Sequence, residues 1–338
     1  MLNKISLKII VALGVLLAAA SSYAQILTVT SPTNGSFLGL RNKVNFTITD
    51  LNVQTNVRAV ATGPGGVTFS EDQDFTPNAD QKVDGSLDLN FQQGSPEGEY
   101  TIVVTATRKD TNVQFGTVTI GVVLDLTKPK ILEFNPIGNT FVRGGTVVIS
   151  VKIRESQASF KDYRVRIDGQ DIPNNTGETI NYLTGDVGTF TVEWQTAGIQ
   201  FDGTKSINIR VRDQADNTEE TTFNVTLDRI VPTVQIVQPA PTLRLNPRSS
   251  VPVAIDINDG TSSSVAVTGV DVVAYTMDGA FIGRVSRASF RNTGGGNFRW
   301  TGRLRWTNRL PREFKIVVNV IDRAGNASPA QEVVVRYR

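Results

Sequence analysis

The sequence predicts an all-β chain of tandem antiparallel β-sandwiches behind an export leader, and three observations predict it. Apolar and polar residues alternate through short segments such as VVISVKI (147–153), TFTVEW (189–194), SINIRVR (206–212) and TFNVTL (222–227), the pattern of strands with one buried face. Clusters of Gly, Asn, Asp and Pro, among them DGQDIPNN, QQGSPEG and RNTGGGN, break these segments often enough for about seven short strands per hundred residues. After the first 25 residues, no apolar stripe at i, i+3, i+4 is long enough for a stable helix.

The leader comes first. Lys4 and Lys8 precede and flank an apolar run from Ile9 to Ala20, and Ser22-Tyr23-Ala24 offers small residues for cleavage before Gln25. Residues 1–24 therefore read as a secretory signal peptide. The run falls well short of the roughly 20 apolar residues that span a bilayer. No direct membrane insertion is expected after cleavage, and the expected location is exported: extracellular, cell surface or periplasm.

The remainder repeats. VLDLTKPKILEFNP (123–136) and TLDRIVPTVQIVQP (226–239) share Leu-Asp, a Pro four residues after the Asp, and an alternating segment ending in a second Pro. LTVTSP (27–32) supplies an earlier copy, so Pro32, Pro136 and Pro239 mark three starts. Internal period sets the units: 26–125, 126–228 and 229–338.

Composition narrows the chemistry. The chain has no Cys and no His. Disulfides, lipid anchorage through Cys, the Ser-His-Asp triad and most zinc or copper sites are thereby excluded. A carboxylate-based hydrolase is the remaining enzyme reading, and no spacing selects one carboxylate pair. Nucleic acid is not an expected partner, because no recognisable binding motif is present.

The D-x-x-x-P entry, the strand Phe190/Val192/Trp194, the run GEYTIVVTA (98–106) and the closing D-x-A-G-N resemble the bacterial immunoglobulin-like repeats of secreted adhesins and cell-surface proteins. The resemblance covers the chain after its leader and implies three tandem immunoglobulin-like sandwiches. It departs in lacking the cysteine pair of antibody domains, and Tyr100 has no counterpart at Ser206 or Phe314, so a tyrosine corner is expected once. The function it implies is an exported, non-catalytic structural or adhesive rod. The unidentified partner would be a protein or glycan surface.

The acids of two related segments, RVRDQADN (210–217) and NVIDRAGN (319–326), fall at the start of the F–G loop in such a sandwich. That loop shares a pole with the B–C loop and with the linker from the preceding unit. The second unit thus gathers Asp125, Glu155, Asp213, Asp216 and Asn217; the third gathers Asp228, Asp256, Asp259, Asp322 and Asn326. Two readings stay open. Asp and Asn close a hairpin, with Gly325 at positive φ, or the carboxylates hold calcium, which takes six to eight oxygens. The residues alone favour the hairpin reading; the resemblance adds some weight to the second, because calcium-stiffened linkers occur in bacterial adhesin repeats. In the first unit the corresponding segment is Lys109-Asp110-Thr111-Asn112, with a Lys beside the acid.

Charge is uneven. Residues 26–125 carry 6 Lys/Arg against 11 Asp/Glu, residues 126–228 carry 11 against 14, and residues 229–338 carry 15 against 7. Arg299, Arg303 and Arg305 alternate with Trp300, Leu304 and Trp306. They read either as a row for an anionic envelope or glycan partner or as a solvated face that discourages edge aggregation. Opposite charges on the end units also permit head-to-tail self-association. Trp194 and Trp300 read as core.

Overall fold

The computed structural model describes residues 26–338 apart from 156–157, 178–180, 185, 242–243, 246–249, 261–264, 307–310 and 338; the signal-peptide reading of residues 1–24 lies outside these. Strands account for nearly all regular structure. Among the described residues a 3-10 turn at Pro64–Gly66 interrupts them, and no helix there is long and apolar enough to cross a membrane.

The first unit contains β1 (Leu27–Ser31), β2 (Phe37–Leu38), β3 (Arg41–Ile48), β4 (Thr55–Thr62), β5 (Thr68–Phe75), β6 (Val83–Asn90), β7 (Gly98–Arg108) and β8 (Gln114–Leu124). They form two sheets, β1-β3-β6 and β2-β8-β7-β4-β5. The second unit contains β9 (Lys130–Asn135), β10 (Phe141–Arg143), β11 (Thr146–Arg154), β12 (Phe160–Ile167), β13 (Gln170–Gly177), β14 (Asn181–Thr184), β15 (Val187–Gln195), β16 (Gly203–Asp213) and β17 (Thr218–Asp228). Its sheets are β14-β15-β11-β9 and β10-β17-β16-β12-β13.

The third unit repeats the second: β18 (Thr233–Gln238), β19 (Arg244–Leu245), β20 (Val251–Asn258), β21 (Val265–Thr276), β22 (Phe281–Arg284), β23 (Ser286–Gly294), β24 (Asn297–Leu304), β25 (Glu313–Asp322) and β26 (Gln331–Tyr337). They form β18-β20-β24-β23 and β19-β26-β25-β21-β22. Each unit is an immunoglobulin-like sandwich, and the chain is all-β as its alternation predicts.

The strand count exceeds seven per unit because the first strand splits. It pairs antiparallel in one sheet, passes a cis X-Pro bond at Pro32, Pro136 or Pro239, and then pairs parallel with the last strand of the other sheet through β2, β10 or β19. The repeated prolines of the sequence therefore mark where the chain changes sheets. The first unit differs in having no strand beyond β6 among its described residues, so β6 forms the edge of that sheet.

Alternation builds three separate apolar interiors. Val44, Phe46 and Ile48 of β3 face Ile102 and Val104 of β7; Ile149, Val151 and Trp194 face Ile207 and Ile209; Ile255, Phe298 and Trp300 face Phe314, Ile316 and Val318. Trp194 and Trp300 are both buried, and Trp306 is half-buried against the third core. Each buried aromatic removes about 150–250 Å² from water, so these interiors supply the stability that absent disulfides cannot. The expected tyrosine corner is present: the buried Tyr100 donates its hydroxyl to the Pro96 carbonyl at 2.9 Å. Replacing Tyr100 by Phe is expected to lower the unfolding free energy by about 1 kcal/mol, the net contribution of one hydrogen bond. Urea unfolding would show an earlier midpoint at unchanged slope; an unmoved midpoint would mean that the corner stabilises nothing.

Candidate functional site

Each linker starts from a fully buried aspartate at the end of a unit's last strand: Asp125 follows β8 and Asp228 closes β17. The Thr127 amide donates to Asp125 Oδ1 at 2.9 Å and the Ile230 amide to Asp228 Oδ1 at 3.0 Å. This local bond is what suits Asp to a turn. The upstream unit adds a second clamp. Glu97, just before β7, accepts from the Leu126 amide at 2.9 Å and the Thr127 hydroxyl at 3.0 Å. Asp202, just before β16, accepts from the Arg229 amide at 2.8 Å and from Arg229 Nε at 2.5 Å.

The downstream unit supplies the third clamp. Asn217 Nδ2 donates to the Asp125 carbonyl, and Asn326 Nδ2 to the Asp228 carbonyl, each at 2.9 Å. Packing agrees with the bonding. A Cβ placed on Gly39 would meet the Ala215 carbonyl oxygen at 2.6 Å, so the second unit's turn sits directly on the first unit. At the next junction Arg143 Nη1 donates to the Gly325 carbonyl at 3.5 Å, and the Arg323 guanidinium lies 5.9 Å from the centre of the Phe141 ring.

Around each linker aspartate two further carboxylates converge. Glu155 follows β11 and Asp213 ends β16; Asp259 follows β20 and Asp322 ends β25. Asp125, Glu155 and Asp213 bring one oxygen each to within 4.8 Å of one another, as do Asp228, Asp259 and Asp322, and all six residues are buried. At an effective dielectric near 20, two full charges at such a separation repel by about 3 kcal/mol. Three such pairs approach the whole stability of a typical domain, about 5–15 kcal/mol. Among the described residues, Asp125, Asp213, Asp228 and Asp322 form no ion pair with Lys or Arg.

Hydrogen bonds account for some of these oxygens. Asp125 Oδ2 accepts from the Ala158 amide at 2.8 Å, and Asp213 accepts from the Asn217 amide at 2.8 Å and from its Nδ2 at 2.9 Å. Asp322 accepts the same pair from Asn326 at 2.8 Å each. Asp228 Oδ2 differs: it is buried and has no hydrogen-bond partner among the described residues. Leaving such an oxygen bare costs about 1–3 kcal/mol, so this donor set fits a hard cation at its centre.

Burial pushes the Asp213 carboxyl above the usual carboxylate range; the Asn217 bonds oppose the shift and the nearby Asp125 charge adds to it. An acid with a raised folded-state value favours the protonated folded chain. Its contribution to stability therefore falls as pH rises from the unfolded value through the folded one.

The structure separates the other sequence-selected residues from these clusters. Asp216 has φ +67° and takes the turn position that Gly325, φ +92°, takes in the third unit; its exposed carboxylate meets Lys161 at 2.7 Å and Arg212 at 3.3 Å. Asp256 stands on the outer face of β20 and pairs with Arg299 at 2.8 Å. Asn217 and Asn326 act as clamps on the linker backbone. In the first unit Lys109 pairs with Asp74 at 2.8 Å and Asp110 with Arg108 at 2.9 Å, while Asn112 adopts φ +56° in the exposed turn. Arg303 Nη1 donates to Ser250 Oγ at 3.0 Å, and the exposed Arg305 lies just past the end of β24. Glu97 and Asp202 were not selected from the sequence, although both stand immediately before a Gly that opens a strand.

No family model and no curated protein matches the sequence. Among solved structures, the chain is similar to the fibronectin(III)-like modules of Clostridium thermocellum CbhA, at 16% identity, covering 60% of this chain and 93% of that one, with TM-score 0.35. It is similar to the I67–I69 fragment of the titin I-band, at 11% identity, covering 92% and 97%, with TM-score 0.33. It is also similar to a tetra-tandem repeat in the extending region of a large adhesion protein, at 15% identity, covering 92% and 73%, with TM-score 0.26.

Asn326→Ala is expected to lower the unfolding free energy by about 1–3 kcal/mol, because buried acceptors on both sides of the junction lose their donor. Asp216→Asn, which breaks only exposed ion pairs, is expected to cost less than about 1 kcal/mol. Chemical unfolding of the two variants checks the contrast, and equal losses would contradict the assignment of clamp and turn.

Proposed function

We propose that this chain is an exported, non-catalytic structural or adhesive protein: a rod of three bacterial immunoglobulin-like units, 26–125, 126–228 and 229–338, with linkers stiffened by calcium. The observation that carries the proposal is the buried Asp228 carboxylate at the second junction. One of its oxygens lacks a hydrogen-bond partner among the described residues, and Asp259 and Asp322 converge beside it. The first junction has the matching trio Asp125, Glu155 and Asp213.

Calcium suits this donor set because it accepts six to eight oxygens at 2.3–2.6 Å in flexible geometry. Zinc and copper prefer the His and Cys ligands that this chain lacks. The cation would join the linker aspartate to two loops of the downstream unit, so it would resist bending at the point where two units meet. Burial of the acids supports a structural role, since a glycosidase pair must flank a substrate bond in an open cleft. Adhesion would be carried by loops and sheet faces, toward a protein or glycan surface.

Small-angle scattering of the chain at about 1 mM calcium, within the range that extracellular modules require, and again with chelator, tests the linkers. The expected result is a longer, narrower particle with calcium and a more bent, mobile one with chelator. A Glu155→Gln/Asp322→Asn double variant should show no difference between the two. Identical scattering from the unaltered chain in both conditions would discard calcium stiffening.

A further inference from the structure

The ion pairs of the three units leave a residue of opposite charge at the two ends. In the second unit several acids are matched: Asp162 lies against Arg210 and Arg212 and Asp171 against Arg164 and Arg166, while Asp202 pairs with Arg229 of the following linker. In the first unit Glu71 and Asp72 form no ion pair; in the third, Arg287 and Arg291 have neither ion-pair nor side-chain hydrogen-bond partner among the described residues. No ion pair among the described residues joins residues 26–125 to residues 229–338.

These unmatched charges fall on two edge strands. β5 reads TFSEDQDF, with three acids and no base, and lies at the end of its sheet, hydrogen-bonded to β4 in unbroken register from Thr62↔Thr68 to Thr55↔Phe75. Arg58 stands across from Asp72, and Asp74 is held by Lys109. β23 reads SRASFRNTG, with two arginines and no acid, and lies at the end of its own sheet beside β24. Arg291 stands directly across from Arg299 there, and Arg303 follows on the same face. Like charges on an edge strand repel its own kind and so suppress indiscriminate pairing. Edges of opposite sign attract.

We propose that the acidic edge strand β5 of one chain docks along the arginine-bearing edge β23 of a second copy, joining chains head to tail. Charge complementarity within the one sequence favours this occupant: residues 26–125 carry 6 Lys/Arg against 11 Asp/Glu, and residues 229–338 carry 15 against 7. Such a contact is heterologous, since the two surfaces differ, and it extends into a filament unless the rotation closes a ring. Backbone groups on the outer sides of both strands are available to add a cross-chain ladder. The contact does not depend on a cation at the linkers.

Analytical ultracentrifugation of the full chain over a concentration series tests this, at about 20 mM and about 500 mM salt, where screening lengths differ several-fold. The mass is expected to rise with concentration at low salt and to fall to the monomer at high salt, with calcium or chelator alike. Glu71→Lys/Asp72→Lys and Arg287→Glu/Arg291→Glu should each weaken association at least about tenfold, because like charges then face each other. Mixing the two variants, or combining all four substitutions in one chain, should restore association, and circular dichroism should show all of them folded. A wild-type chain that stays monomeric at low salt would overturn the proposal, as would an unaffected single-edge variant or a failed rescue. Binding of that monomer to an acidic polysaccharide, lost in Arg287→Glu/Arg291→Glu, would reassign the edge to an external polyanion and likewise overturn it.

Discussion

Two buried aspartates, Asp125 and Asp228, hold the arrangement of units together. Each receives hydrogen bonds on its carbonyl from the unit that follows, and its carboxylate turns the linker that leaves it. Glu97 and Asp202 hold the next residue from the unit behind. The linker backbone, which in a flexible connection would be satisfied by water, is satisfied here by protein on three sides. Bending the junction breaks several of these bonds together, and this makes the orientation between units a cooperative property.

The same construction creates an electrostatic problem. Burying the linker aspartate brings it against two acids at the ends of strands in the following unit. Burial alone pushes Asp213 toward its protonated form, and the Asp125 charge adds to that shift. Asn217 and Asn326 relieve part of the load by donating to Asp213 and Asp322. Asp228 Oδ2 is left without a hydrogen-bond partner among the described residues, and it is this oxygen that the proposed calcium ion would meet.

Much of this was legible in the sequence because period-two alternation is a property of individual strands. The buried pairs Phe298/Trp300 and Phe190/Val192 lie on inward faces as their spacing requires. Two-residue strands such as β2 and β19 have no period to read, so the sheet-switching strand appeared only as a repeated proline. Asp256 could have been set aside by parity alone, since Ile255 and Ile257 on either side point inward. Asp216 could not, because its turn position is set by the F–G hairpin and becomes clear only beside Gly325. Glu97 and Asp202 look like ordinary turn residues until the fold brings them beside a linker many residues later.

Groups from both neighbouring units grip each linker, and a grip of this kind stiffens a junction. The chain contains no cysteine, so a single cysteine introduced at an exposed site in each of two adjacent units would carry spin labels without competing sites. Pulsed electron resonance between those labels, with calcium present, measures the spread of distances across one junction. A narrow distribution that broadens when Asn217 or Asn326 is replaced by Ala is the predicted result; a broad distribution in the unaltered linker would contradict the account.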